Sequence, residues 1–267
     1  MKKIMSIVII GLLCLSMFLI IAPQVRAAES VIFQDDFESY PVSTFPSSGG
    51  WQIVWNGAGD QYQVVTDAYS HSPSKSLQLV GSYGWSIVVK RDFSSSSDLI
   101  GYEAYLMSAD YVSGDSNGVS IGFFNQQIEQ WGRYYACVYF LNGYIWAGSW
   151  SASGHPYYML QAFTPYTWYK IRTLLDKSSR IYNVWIDDVL IGANLAEPSD
   201  PQEILSIDVG EGWTSVHGYI DDVKILEVNG QLMLNASADV EPNTLNLKSK
   251  GKWITAYIEL PESYDVN

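Results

Sequence analysis

The acidic residues most able to do chemistry in this sequence belong to a tetrapeptide that occurs twice. The segments 185–189 and 219–223 both contain Ile-Asp-Asp-Val. Paired carboxylates can bind a hard cation such as calcium, and they can also act as general acid and base. The first question is therefore whether the two pairs form a repeated metal or catalytic motif, or whether the same tetrapeptide occupies two different structural positions.

The first acidic pair is predicted to form the tip of a β-hairpin. Two strand-like runs, 182–186 and 189–192, are separated only by Asp187 and Asp188. A two-residue connection between strands is a hairpin turn, and aspartate tolerates the left-handed backbone of such turns better than most residues. This pair is thus interpreted as a solvated turn.

The second pair has a different setting, because strand-like residues run both into it and out of it. Residues 218–220 precede Asp221 and Asp222, and residues 223–226 continue the strand. Consecutive strand residues face opposite sides of a sheet, so the two carboxylates cannot both face solvent from one side. One of them is expected to need a partner near packed surface.

The elements that must position these acids are β-strands. Short apolar runs punctuated by Gly, Asn, Asp and Ser recur along the chain at the roughly 8–12-residue spacing of a β-sandwich, with almost no helical periodicity. Strands are predicted at 31–37, 61–65, 76–80, 86–93, 100–108, 119–125, 134–141, 144–149, 168–176, 181–186, 189–192, 204–209 and 218–228. The prediction is an all-β sandwich.

The amino terminus has the features of a secretory signal peptide. Lys2 and Lys3 precede an apolar run over 4–21, and Val25-Arg26-Ala27 is a small-residue cleavage pattern. We predict cleavage after residue 27 and a secreted or cell-surface protein. An uncleaved anchor is the alternative, and it would be the protein's only membrane contact.

The net charge limits the classes of binding partner, and the cysteine content limits the possible disulfides. The net charge is −13, and removal of the signal peptide's basic residues makes the mature chain more acidic still. Such a surface repels nucleic acid and anionic lipid but offers oxygen ligands to cations. Cys137 is the single cysteine left after cleavage, so no internal disulfide can form.

The composition changes after residue 228, which suggests a domain boundary. We predict a sandwich domain at 28–228, a linker at 229–238 with an N-glycosylation acceptor at Asn235-Ala236-Ser237, and an incomplete β-module at 239–267. Within that module, residues 253–260 alternate apolar and polar side chains, which predicts a half-buried hairpin.

Four segments resemble a known family: FQDDFESY at 33–40, SPSKSLQLVGS at 72–82, WYKIRTLLDKSSRIYNVWIDDVLIG at 168–192 and GYIDDVKIL at 218–226. Together they resemble the laminin-G-like, concanavalin A-like domain of secreted and cell-surface proteins, over about 31–227. The resemblance implies a two-sheet antiparallel jelly roll. Asp188 replaces the glycine usual at that family's hairpin tip. The segment 240–266 resembles the opening of a short β-module of prokaryotic, notably archaeal, extracellular proteins, which implies a multi-module surface protein.

The resemblance to laminarinase-like relatives also implies a structural calcium between the first and last strands. Asp35 and Asp36 match the acids of the opening strand, and Asp221, followed by Asp222, matches the aspartate of the closing one. Calcium takes six to eight oxygen ligands, which carboxylates, backbone carbonyls and water could supply together. The alternative is a lysine-paired or solvated edge carboxylate.

Catalytic patterns are weak in this sequence. The Glu-x-Asp-x-x-Glu strand of laminarinase-like enzymes is absent. The Gly-x-Ser-x-Gly match at 118–122 continues as a strand, whereas a nucleophile elbow needs a following helix. His71, His155 and His217 are scattered, and no zinc-ligand spacing occurs. The sequence therefore predicts no enzyme.

The most suggestive binding feature is an aromatic strand face. Tyr144, Trp146 and Trp150 share one side of a predicted strand, and aromatic rings stack on the apolar faces of sugars. The candidate rim residues are Trp131, Arg133 and Tyr83. Because aromatic residues also fill sandwich cores, three functions stay open. The preferred one is a non-catalytic module for extracellular glycans or surface proteins, ahead of a structural spacer and a glycan-active enzyme.

Overall fold

The computed structural model describes residues 28–111, 118–150, 157–211, 215–229, 237–241 and 255–259. The predicted signal peptide, most of the predicted linker and most of the predicted C-terminal module lie outside these residues. Among the residues described, no helix is both long and apolar enough to cross a membrane.

The described chain is built from strands, joined by turns and three short 3-10 segments. The strands are β1 (Ala28–Asp35), β2 (Trp51–Asn56), β3 (Val64–Thr66), β4 (Ser76–Val80), β5 (Ile87–Asp92), β6 (Leu99–Ser108), β7 (Ser120–Asn125), β8 (Arg133–Leu141), β9 (Tyr144–Trp150), β10 (Tyr157–Ala162), β11 (Tyr169–Asp176), β12 (Ile181–Ile186), β13 (Val189–Ala196), β14 (Ser206–Glu211), β15 (His217–Asn229), β16 (Ser237–Glu241) and β17 (Thr255–Glu259). The 3-10 segments are Ser47–Gly49, Asp60–Tyr62 and Pro201–Glu203.

Two antiparallel sheets form a sandwich. The eight-stranded sheet has the order β13-β12-β11-β6-β15-β4-β3, and β1 also pairs with β15. The seven-stranded sheet has the order β10-β9-β8-β7-β14-β5-β2. This confirms the predicted all-β jelly roll of two antiparallel sheets. Strands β16 and β17 pair with each other as a separate two-stranded sheet.

The core lies between the two sheets and follows the alternation of the strands. Ile207 and Val209 on β14, and Ile121 and Phe123 on β7, are fully buried in one large apolar cluster. The residues between them on the same strands therefore point to the opposite side of the seven-stranded sheet. That side, turned away from the core, is called the outer face below.

Strand β8 contains a bulge that sets which of its residues reach the outer face. Ala136 has a φ of 47°, and the pairing shifts between Tyr134–Trp150 and Cys137–Gly148. The buried carboxylate of Glu197 accepts the Ala136 N–H at 2.9 Å and also contacts the Ser149 hydroxyl. The extra residue is thereby anchored, and Cys137 returns to the outer face.

The first acidic pair forms the hairpin tip that the sequence predicts. Asp187 and Asp188 have φ values of 50° and 65°, and Ile186 pairs directly with Val189. The carboxylates are not simply solvated, because the Lys170 Nζ lies 2.8 Å from Asp188 Oδ1 and the Lys170 N–H donates to Asp187 Oδ1 at 2.9 Å. Both acids also tie the hairpin to β11.

Candidate functional site

The strand register brings five small or polar residues into one row across the outer face. Lys90 pairs with Asp208, and Asp208 pairs with Gly122. On the other side, Cys137 pairs with Gly148, and an ideal Cβ at Gly122 would lie only 2.2 Å from the Cys137 sulfur. We call Lys90, Asp208, Gly122, Cys137 and Gly148 the floor row.

Aromatic residues flank the floor row on both sides. Tyr134 pairs with Trp150, and their rings meet edge to face at 5.9 Å. On the opposite flank, Tyr139 pairs with Trp146. On β8 and β9 the floor row thus lies between two aromatic pairs, and its residues Asp208, Gly122, Cys137 and Gly148 are buried.

The predicted aromatic face of β9 is only partly exposed. Tyr144 is 40% exposed, whereas Trp146 is half-buried and its Nε1 donates to the Leu141 carbonyl at 3.0 Å. Tyr157 on the neighbouring β10 is also exposed, and its ring meets Tyr139 edge to face at 5.9 Å. Tyr144, Trp146 and Tyr157 are called the β9 patch below.

Trp131 joins a second group of aromatic residues at the other end of the same sheet. Its ring centroid lies 5.8 Å from that of Trp55 and 6.3 Å from that of Trp85. Trp55 pairs with Val88 on the outer face of β2, and the rings of Trp55 and Trp85 lie 6.5 Å apart. We call Trp55, Trp85 and Trp131 the tryptophan cluster.

The β7–β8 connection must cross part of the outer face to form this cluster. Strands β14 and β5 lie between β7 and β2. The distance from β7 to β2 is therefore about 14 Å at ordinary strand spacing. Trp131 spans that distance from its loop, and it stays 43% exposed while Trp85 is 42% exposed. Tyr83, in the turn between β4 and β5 beside Trp85, is 98% exposed. The cluster therefore offers accessible ring surface.

Sequence reasoning identified Trp131 and Tyr83 but missed Trp55 and Trp85. The pairing of β2 shifts between Ile53 and Trp55, so that strand lacks clean alternation. Trp85 follows Ser82-Tyr83-Gly84, a turn closed by two backbone hydrogen bonds between Ser82 and Trp85. The available signal was the proximity of Trp85 to the predicted rim residue Tyr83.

Arg133, the predicted basic rim residue, is bound by acids. Its Nη2 lies 2.5 Å from Glu129 Oε1, and its Nη1 lies 3.2 Å from Glu203 Oε2. The hydrogen bond with Glu129 raises the pKa of the guanidinium further above its usual range. A ligand role for Arg133 stays a prediction, and it would require displacing one of these carboxylates.

Asp208 is the acid at the middle of the floor row. It is only 2% exposed, and its Oδ1 has no hydrogen-bond partner. Burial raises the pKa of this carboxyl well above its usual value. The Tyr139 hydroxyl, on the same face, is also buried without a partner. Buried polar atoms are nearly always paired, so two exceptions on one face mark it as unusual.

At the junction of β1 and β15, Asp35 organises a hydrogen-bonded node. Its Oδ2 accepts from the Tyr40 hydroxyl at 2.6 Å and from Trp51 Nε1 at 2.8 Å, and its Oδ1 accepts the Phe37 N–H at 3.0 Å. The neighbouring Asp36 accepts the Glu38 N–H at 3.1 Å. Asp35 thus links the end of β1 to the start of β2.

The second acidic pair is hydrogen-bonded to the β3–β4 loop. Asp221 is fully buried and accepts the N–H groups of His71 at 2.8 Å and Ser72 at 3.1 Å. Asp222 lies at a bulge with a φ of 51° and bonds His71 Nδ1 at 2.8 Å and the Ser72 hydroxyl. Burial, opposed by these backbone hydrogen bonds, raises the pKa of Asp221 to about 7. The expectation that one acid of the pair needs a partner is confirmed.

This donor pattern does not fit a calcium ion held by all four predicted carboxylates. The carboxylate oxygens of Asp35 and Asp221 already accept hydrogen bonds from protein N–H and O–H groups. Of the four predicted carboxylates, Asp35, Asp36 and Asp222 line a shared cavity of about 410 Å³. Over the described ranges, no group of three or more His, Cys, Asp or Glu is arranged to hold a metal ion. Calcium stays a prediction.

The fold defines the chain as a concanavalin A-like jelly-roll sandwich. No protein-family model and no curated protein matches the sequence. Among solved structures, the cellulose-induced protein Cip1 is similar, with 13% identity and a TM-score of 0.51 over 72% of this chain and 96% of that one. A putative β-glucanase from Mycobacterium abscessus is 10% identical, with a TM-score of 0.50 over 73% of this chain and all of that one. A sialidase is 13% identical with a TM-score of 0.52 over 75% of this chain, but only 18% of its own length is matched. At these identities the likeness shows the fold alone.

Proposed function

We propose that this chain is a non-catalytic module that binds glycans on the outer face of the seven-stranded sheet. The observation that carries the proposal is that two accessible aromatic groups, the β9 patch and the tryptophan cluster, lie on the same face of one sheet. The names of similar structures, which include a β-glucanase and a cellulose-induced protein, agree with this assignment.

Aromatic rings at these positions suit sugars for a physical reason. The half-exposed indoles of Trp85 and Trp131 have no full cover of protein atoms, so an apolar ring face can displace water from them. Polar groups that could bond hydroxyls lie nearby, and Asn56 already accepts from Trp85 Nε1 at 3.3 Å. Such a mixture of aromatic surface and oriented polar groups is typical of ligand sites.

The absence of catalysis is part of the proposal, and the state of two acids on this face supports it. Asp208 is covered, and Asp92 is bound by Lys90 at 3.0 Å and by Gln52 at 3.1 Å. Glycoside hydrolysis needs two carboxylates that both reach the scissile bond. Neither of these two is placed to do so.

The cellular setting follows from the sequence. The predicted signal peptide and the acidic charge favour a secreted or surface-displayed protein whose partner is an extracellular glycan.

A structural spacer is the second candidate, and one observation favours it. Phe124 is fully buried and Tyr139 nearly so, so the centre of the outer face is closely packed. A spacer would use these aromatic residues only for packing. It predicts that removing the exposed indoles has no effect on any polysaccharide interaction.

Affinity electrophoresis tests the proposal. The mature protein is run in gels containing hydroxyethylcellulose, laminarin, galactomannan, arabinan or polygalacturonate. We expect retardation by at least one neutral polymer, with about tenfold weaker binding for Trp85→Ala and for Trp146→Ala. The matched control is Trp185→Ala, because Trp185 lies on the other sheet under the Arg172 guanidinium.

The outcomes separate the candidates. Unchanged mobility of the wild-type protein in every gel overturns the glycan-binding proposal and leaves the spacer. Release of reducing ends from any of these polymers, abolished by Asp208→Asn, would contradict the non-catalytic assignment.

A further inference from the structure

The two aromatic groups lie near opposite edges of the seven-stranded sheet. The tryptophan cluster includes Trp55 on β2, the strand at one edge, whereas the β9 patch lies on β9 and on β10, the strand at the other edge. Five strand intervals separate β2 from β9, or about 24 Å at ordinary strand spacing. The accessible rings of the two groups are therefore at two separate places on the sheet.

The β7–β8 connection, residues 126–132, lies on the face between them, on the side of the tryptophan cluster. Gly132 has a φ of 72°, and a Cβ at this position would collide with the ring of Phe124. Trp131 then reaches the ring of Trp55 across β14 and β5. Asp208 and Gly210, on the intervening β14, are both buried. The connection is therefore folded down onto this part of the sheet.

Polar contacts hold the base of the connection in place. The Gly132 N–H donates to the Glu129 carbonyl at 3.0 Å, and the Arg133 guanidinium pairs with both Glu129 and Glu203. Packing against Trp55 holds the other end through Trp131. The covered centre is thus an integral part of the fold.

The outer face is also closed on the side of the β9 patch. Gly122, Cys137 and Gly148 are buried between the two aromatic pairs that flank the floor row. Phe124, on the same face, is fully buried as well. Among the residues that the structure describes, no exposed strip of the floor row joins one aromatic group to the other. A short saccharide seated on one group therefore does not reach the second.

The charges of this sheet favour a neutral ligand at both places. Its strands carry three basic residues, and each is already bonded: Lys90 to Asp92, Arg91 to the Gly49 carbonyl at 2.8 Å, and Arg133 to Glu129 and Glu203. The whole chain has a net charge of −13. Uronate or sialate carboxylates would meet repulsion and find these cations engaged.

We propose that the tryptophan cluster and the β9 patch are two separate sites for neutral glycan chains, so that one molecule of the protein holds two chain segments and cross-links them. This inference rests on the proposed function and adds the number of sites and the assembly that they form. A polymer engaged at both sites is released only when both contacts break, so binding to a polymer is tighter than binding to a short saccharide.

Native mass spectrometry of the mature protein counts the sites. The probes are cellotriose, laminaritriose and mannotriose, and a reference protein in the same solution corrects for nonspecific attachment. With at least one of these trisaccharides we expect the wild-type protein to reach two bound molecules per chain.

Single-site variants assign the two bound molecules. Trp85 is 42% exposed and Tyr144 is 40% exposed, so Trp85→Ala and Tyr144→Ala each remove a ring that is not part of the core. Each variant should bind one trisaccharide, the double variant should bind none, and Trp185→Ala on the other sheet should bind two. Melting curves check that every variant is folded.

Viscosity measures the cross-linking itself. The wild-type protein should raise the viscosity of a solution of the polymer that retards it in gels, whereas Trp85→Ala and Tyr144→Ala should not. An equimolar mixture of these two variants should also leave the viscosity unchanged. A rise with the mixture would show that copies of the protein associate, and it would overturn cross-linking by a single molecule.

Two further outcomes would overturn the inference while leaving glycan binding intact. One is a single trisaccharide on the wild-type protein, and the other is two trisaccharides on both single-site variants. Retardation in a gel without binding of any trisaccharide would overturn it too, because each site would then need a longer chain than one aromatic group can hold. Failure of the wild-type protein to bind any saccharide or polymer would instead overturn the proposed function itself.

Discussion

At the scale of single residues, Asp208 is an energetically costly feature of the outer face. A buried polar atom without a partner costs about 1–3 kcal/mol, and Asp208 Oδ1 is such an atom. No sequence pattern identified it, because Ser206-Ile207-Asp208-Val209 has the ordinary alternation of a strand with a solvated face. What buries Asp208 is the approach of other elements to that face, which strand periodicity does not encode.

The raised pKa of Asp208 predicts how stability depends on pH. Because burial holds this pKa well above its ordinary value, the folded protein keeps a proton that the unfolded chain releases above about pH 4. The stabilising contribution is fully present below that pH and is lost as pH rises toward the folded pKa. Asp208→Asn cannot ionise, so it should lack this loss.

Urea unfolding at about pH 5 and about pH 8 measures the effect. The wild-type free energy of unfolding should fall more between the two pH values than that of Asp208→Asn. Asp92→Asn, a change at an exposed acid on the neighbouring strand, should leave the wild-type slope nearly unaltered. Parallel slopes for wild type and Asp208→Asn would show that Asp208 is ionised in the folded state.

At the scale of elements, the alternation of apolar and polar residues predicted most strands correctly, whereas two strands with irregular pairing were missed. The segments Ser76–Val80 and Ile181–Ile186 form strands with the predicted bounds, and most other predicted strands differ by one to three residues at an end. The two strands that were missed, β2 and β10, lie at opposite ends of the seven-stranded sheet, and each has a shifted pairing within it. A shift interrupts the period of two on which the prediction depends.

The acidic repeat shows the same limit. The hairpin at Asp187 and Asp188 was predictable because a two-residue turn is a local structure. The partners of Asp221 and Asp222 are His71 and Ser72, about 150 residues away in the chain. The sequence indicated that a partner was needed, but chain topology decided which one.

The contact between β7 and β8 gives an element-scale prediction. Gly122→Ala should lower the free energy of unfolding by about 1–3 kcal/mol, because the new methyl group would collide with the Cys137 sulfur. Adding Cys137→Ala removes that sulfur and should recover part of the loss. A double-mutant cycle by urea unfolding measures the coupling, with Cys137→Ala alone as the control. Strict additivity would contradict the close approach.

At the scale of the whole molecule, the sandwich has to hold its first and last strands together without a disulfide. Cys137 is buried and free, so the junction of β1 and β15 depends on pairing and on the hydrogen bonds of its acids. Asp35 ties β1 to Tyr40 and Trp51, and Asp221 ties β15 to the β3–β4 loop. These bonds involve protein donors alone.

Thermal melting in EGTA and in excess calcium examines this junction. Because the donors of Asp35 and Asp221 are protein groups, we expect the domain to stay folded and to melt cooperatively in EGTA. A melting temperature several degrees higher in calcium would show an ion bound to the native state, and its loss in Asp222→Asn with retention in Asp92→Asn would place that ion in the shared cavity. Unfolding by EGTA alone would show that the junction of β1 and β15 depends on a bound metal ion.

The mutual contact of Trp55, Trp85 and Trp131 has an optical consequence. Three indoles with centroids 5.8 to 6.5 Å apart and rings steeply inclined to one another are close enough for their excited states to couple. Such coupling gives a paired circular dichroism band at the strong far-ultraviolet transition of indole, and this band is sensitive to small ring rotations. The chain therefore carries its own label-free reporter, and stacking of a sugar on Trp85 or Trp131 would be visible as a change in that band.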